Sequence, residues 1–76
     1  MSAHKFASSF EIERQIRNAM RDRIQNLVIR VKNDLETKVQ TIEVRGRAKN
    51  MQDKVQVSKL LKANFAESKI ENLITN

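Results

Sequence analysis

Four cations carry the chemistry that can be read most directly from this chain. Arg30 and Lys32 stand two residues apart, as do Arg45 and Arg47, and each pair lies where apolar and charged residues alternate. A spacing of two puts side chains on one face of an extended strand. Clustered Lys and Arg hold phosphate groups by charge-assisted hydrogen bonds, and Arg can do so bidentately. The chemistry on offer is therefore anion binding. Bond-making would need a nucleophile, a base and donors for developing charge in one place. Ser58 has no histidine to activate it. Asp22, Asp34, Glu36 and Glu43 show no paired arrangement for acid–base work. The one histidine, His4, lies near the N-terminus and reads as a solvated tail residue. A zinc site normally needs about three or four protein ligands, so one histidine and no cysteine build none. No catalytic residue, metal site or cofactor is expected, and the chain reads as a non-enzyme.

Charge supports the same reading. The formal net charge is +6 over 76 residues, which favours acidic partners: phosphate backbones, anionic lipid headgroups or acidic proteins. The absence of cysteine excludes a disulfide framework and thiolate chemistry. No stretch is apolar and long enough to span a bilayer as a helix. MSAHKFASSF has one early lysine but no continuous apolar run, so it does not read as a signal peptide. A complete gene product of this kind is expected in the cytoplasm; a fragment of a larger protein could belong to the envelope.

The elements that must position the cations follow from hydrophobic periodicity. Residues 1–8 read as a flexible tail and 9–76 as one domain. Ser8-x-x-Glu11 has the form of a capping box, with the serine accepting from an early helix amide and the glutamate reaching back. Ile12, Ile16, Ala19, Met20 and Ile24 then fall on one helical face, predicting a first helix from Ser9 to about Arg23. From Leu27 the period becomes two. Leu27, Ile29 and Val31 are expected to face inward, with Val28, Arg30 and Lys32 outward. After the polar run Asn33–Lys38, Ile42 and Val44 point inward and Glu43 and Arg45 outward, predicting an antiparallel hairpin. Gly46, the one glycine, marks a bulge or a close backbone approach at a strand end. Asn50 reads as the N-cap of a second helix over Met51–Phe65, with Asp53 favoured in its first turn. Its apolar stripe is Met51, Val55, Ser58, Leu61 and Phe65, widened by Val57. Lys69–Asn76 alternates again and predicts a third strand. The expected fold is α+β: a two-layer sandwich, helix-strand-strand-helix-strand, with both helices on one face of a three-stranded sheet.

That order, and several residues within it, resemble the BON domain (bacterial osmotic-stress and nodulation) family. In EIERQIRNAM, Ile12, Ile16, Arg17, Ala19 and Met20 match the family's first-helix pattern. LVIRV resembles its first strand, IEVRG its strand-then-glycine step ending at Gly46, and DKVQVSKLL its second helix. KIENLI is similar to its closing apolar-x-Asn-x-apolar pattern, with Asn72 in the centre. The likeness covers about residues 10–75. The chain departs from the family at Asp34–Lys38, which is longer and lacks the usual glycine, and at Ala66–Lys69, where a glycine is also missing. The resemblance implies a bacterial, stress-related, non-enzymatic module that binds phospholipid or other envelope components, with Gly46 and Asn72 in structural roles.

Two further partner classes fit the same residues. Arg30, Lys32, Arg45 and Arg47 form an outward basic face, diluted by Glu43, that could hold a nucleic-acid backbone, and GRAK (Gly46–Lys49) is similar to basic segments of Alba-like chromatin proteins. Against this, Phe6, Phe10 and Phe65 all lie off the expected strands, whereas single-strand readers stack bases on aromatic side chains. A three-stranded sheet also leaves edges that can pair with a protein partner or a second copy in a homodimer.

Overall fold

The computed structural model describes residues 6–76. His4 and most of the expected tail lie outside the described residues. The order is α1 (Ser9–Ala19), β1 (Ile24–Asp34), β2 (Val39–Ala48), α2 (Met51–Asn64) and β3 (Lys69–Thr75). The sheet runs β1-β2-β3, with β1 antiparallel and β3 parallel to the central strand. This is the expected helix-strand-strand-helix-strand α+β domain. The parallel β2–β3 pair follows from the helical crossover between them, since a parallel neighbour cannot be reached by a tight turn.

The core lies between the helices and one sheet face. Ile12, Ile16 and Met20 meet Ile42, Val44, Val57, Leu61 and Ile74, all essentially fully buried. Leu27, Ile29, Val31 and Ile70 pack around them, so the inward alternation of all three strands is as expected. The residue before the Ser8 N-cap is also held: the buried Gln40 donates from Nε2 to the Ala7 carbonyl at 2.7 Å, and its Oε1 accepts from Ser68 Oγ at 3.0 Å.

Four local expectations need correction. First, α1 ends at Ala19 rather than near Arg23. Met20 caps it, a turn follows, and Ile24 opens β1 instead of closing the helical stripe. Ile24 looked helical because it breaks the period of Leu27, Ile29 and Val31. A β-bulge between Gln25 and Val28 restores the phase: Asn26 and Leu27 together oppose Gly46. Asn26 has φ +54°, the left-handed conformation that asparagine tolerates better than most residues. Both Ile24 and Leu27 can then face the core.

Second, the Ser8–Glu11 cap is one-sided. Ser8 Oγ accepts from the Glu11 amide at 3.5 Å, but the Glu11 carboxylate turns along the helix to Arg14 at 2.7 Å and Gln15 at 3.2 Å. Third, the buried face of α2 is centred on Val57 and Leu61. Met51 and Val55 are exposed. Ser58, Leu61 and Phe65 of the expected stripe do face inward, and Val57 takes the place of Met51 and Val55. Fourth, Glu43 points to the outer sheet face as expected but is 6% exposed rather than solvated.

The hairpin closes without glycine. Asp34 Oδ1 accepts from the Glu36 and Thr37 amides at 2.9 and 3.3 Å, an Asx turn, and Lys38 takes φ +61°. These contacts do locally what a glycine turn would do.

Candidate anion-binding face

Both helices cover one face of the sheet, so the other is built entirely from odd-numbered β2 and β3 residues and their β1 partners. Cross-strand register sorts it into four rows. They are Lys32–Thr41–Lys69, Arg30–Glu43–Glu71, Val28–Arg45–Leu73 and Gln25–Arg47–Thr75. Arg30, Lys32, Arg45 and Arg47 therefore share one face, as the period-two spacing requires, and all four are exposed. Lys69 adds a fifth cation, against the acids Glu43 and Glu71.

The four are not equivalent. Arg45 Nε donates to Glu43 Oε1, next-but-one along the same strand. This bond holds the Glu43 carboxyl below the ordinary range, opposing the upward push of burial, and the fields of Lys32 and Arg30 act in the same lowering direction. Arg45 is thus the internal counter-ion of a buried carboxylate. Arg30 flanks the same carboxylate across the strand pair. Lys69 lies 3.9 Å from Glu71. Lys32 and Arg47 have no acid in their rows and form no ion pair among the described residues, but only Lys32 acts on Glu43. Val28 and Leu73 flank Arg45 and stay 45% and 44% exposed, so the face is amphipathic rather than uniformly charged.

Gly46 and Asn72 both have close neighbours across the sheet and the helix layer. Gly46 sits opposite the bulge, where an added Cβ would lie 2.6 Å from Ile24 Cγ2 and 2.9 Å from the Gln25 carbonyl oxygen. Asn72 projects from β3 toward the helices. Its Nδ2 donates to the Lys54 carbonyl at 2.7 Å and to Ser58 Oγ at 2.8 Å, and its Oδ1 accepts from the Ile74 amide at 3.2 Å. Ser58 is therefore a hydrogen-bonding partner and not only a small packing residue.

Sequence reasoning put Lys49 in a basic segment but not in the anion-binding patch, and missed Lys69 altogether. Lys49 continues the period of Arg45 and Arg47 past the end of the strand, a signal present in the sequence. Lys69 joins only through the parallel pairing of β3, for which no local signal exists. Among the described residues, no group of three or more His, Cys, Asp or Glu side chains converges as a metal site would require. No helix among them is long and apolar enough to cross a membrane. Comparison with known protein families, with curated proteins and with solved structures finds no match to this chain.

Proposed function

We propose that this chain is a non-enzymatic, BON-like binding module whose open sheet face engages an anionic phospholipid surface. The observation that carries the reading is that face itself: exposed cations interleaved with exposed Val28 and Leu73, left uncovered by either helix. Cations attract the headgroups, and the two apolar side chains suit the boundary beneath them. The element order, the crowded glycine at the end of β2 and the asparagine in β3 support the BON-like assignment. A nucleic-acid partner would use the same cations, but the face carries no aromatic side chain on which a base could stack.

Co-sedimentation with phosphatidylcholine vesicles, with and without phosphatidylglycerol, tests the proposal. Binding should require the anionic lipid and weaken as salt rises, because exposed charges are screened beyond about 10 Å at 0.1 M. Replacing Arg30, Lys32 and Arg47 together by Gln should weaken it by about a hundredfold, at roughly 1 kcal/mol per cation near an anionic surface. Arg45 is left in place because its loss would strand Glu43. Equal, negligible binding to both vesicle types would refute the reading.

A further inference from the structure

Arg47, which no acid faces across the strands, stands beside a cleft. Gln25, Arg47, Ala48, Lys49 and Asn76 line a shallow, open cleft of about 350 Å³ at the end of β2 opposite the hairpin turn. Two of these residues are cations, and neither forms an ion pair among the described residues. Gln25 pairs directly with Arg47 across the β1–β2 ladder, and both line the cleft. Asp53, in the first turn of α2 after Lys49, lies 3.9 Å from Arg23. Immediately after Lys49, α2 begins at Met51 behind its Asn50 cap, and its positive end adds to the local potential.

We infer that this cleft is a phosphomonoester-binding site, with Arg47 and Lys49 as the charge-bearing groups and Gln25 as a neutral donor. A phosphomonoester carries about −1.5 to −2 charge and three acceptor oxygens near pH 7. Two unpaired cations and an amide match that charge and that number of acceptors. A phosphodiester offers a single charge and would leave one cation unmatched. The planar Arg47 fork suits two of the oxygens, and Lys49 acts as a point charge on the third. The rest of the sheet face would then contribute a diffuse field, since Arg45 is tied to Glu43 and Arg30 flanks that carboxylate. The inference rests on the anion-binding reading of this face but narrows it to one end and one chemical group. The group could be presented by a lipid headgroup or come as free phosphate.

Titration of ¹⁵N-labelled protein with inorganic phosphate at constant ionic strength, chloride serving as the control anion, tests the site. Saturable shifts are expected for the amides of Gln25, Arg47, Lys49 and Asn76. Arg47→Gln with Lys49→Gln should weaken that binding by about tenfold or more, as expected when charge-assisted contacts are lost. Arg30→Gln with Lys32→Gln should change it less than about twofold, since screening limits their reach. The spectra report directly whether each variant is folded. Shifts spread evenly over all cationic positions, or unchanged affinity in the Arg47/Lys49 variant, would overturn the site. Vesicles containing phosphatidic acid or phosphatidylglycerol at matched surface charge identify the source. Preference for phosphatidic acid that is lost in the Arg47/Lys49 variant assigns the group to a lipid. Equal binding to both, with the phosphate shifts intact, assigns it to free phosphate. No binding to any anionic vesicle, with those shifts intact, would end the membrane reading and leave the site standing.

Discussion

At the scale of the residue, Gly46 and Asn72 do different kinds of work. Gly46 faces the bulged strand at a distance no side chain can share: one neighbour is a side-chain methyl, but the other is the Gln25 carbonyl oxygen, which is backbone. A methyl can turn aside; a paired strand cannot without loosening the ladder. Its φ of +156° also lies where residues with a Cβ are rare. Gly46→Val should therefore cost about 1–3 kcal/mol, in the range of local backbone strain, and thermal melts will show it as a lowered midpoint. Coincident midpoints would remove any special role for this glycine. Asn72 instead joins layers, satisfying the Lys54 carbonyl and Ser58 hydroxyl at once. Asn72→Leu leaves both without that donor and should destabilise the domain by about 1–3 kcal/mol in chemical denaturation. Ser58→Ala, which removes only one partner, should cost less.

At the scale of the element, the bulge in β1 decides which residues reach the core. Without it, Ile24 and Leu27 would fall on opposite faces, because one residue of slip inverts the side-chain pattern. The left-handed backbone at Asn26 is what allows the extra residue to fit. Asn26→Val should destabilise by about 1–2 kcal/mol, since a β-branched side chain is poorly tolerated there. Asn26→Gly should be neutral or stabilising by less than about 1 kcal/mol. Urea denaturation of both variants checks the pair of signs. A similar cost for Val and Gly would show that the side chain of Asn26, rather than its backbone conformation, matters. In α2 the same kind of test separates the faces: Leu61→Ala, in the core, should cost about 2–5 kcal/mol, while the exposed Val55→Ala should change stability little.

At the scale of the whole molecule, the carboxylates make stability depend on acid. Arg45 holds Glu43 below its ordinary range, the Thr37 and Glu36 amides hold Asp34 below its own, and Arg14 with Gln15 lowers Glu11. Each group binds protons more tightly unfolded than folded. The stability they contribute is fully present above the ordinary carboxylate values, near pH 4, and is lost as pH falls through the lower folded-state values. Denaturation midpoints should thus be level around neutrality and drop below about pH 4. Glu43→Gln should flatten part of that drop, because its neutral amide has no proton to gain. An unchanged acid limb in this variant would mean that Glu43 titrates alike in both states. The net charge of +6 acts in the same direction, since protonating these acids adds to self-repulsion.

The division between what was legible and what was not follows the range of the forces involved. Local patterns determined the element order, the inward faces of all three strands, the Asn50 cap, the position of the single glycine and the sharing of one face by Arg30, Lys32, Arg45 and Arg47. Each depends on chain geometry over a few residues. The tertiary structure alone decided that Ile24 belongs to a strand, because its place depends on pairing with Ala48 in β2, beyond the bulge that Gly46 faces. It alone centred the buried face of α2 on Val57 and Leu61 and left Met51 and Val55 exposed, because overlapping helical stripes share the same apolar spacing and only packing against the sheet selects one. It alone ranked the cations. Charges two apart along one strand look equal in sequence, but burial of Glu43 commits Arg45, and the pairing of three strands leaves Arg47 and Lys49 beside an open cleft. Burial and cross-strand register arise only when distant segments meet, and they set which charges remain available to a ligand.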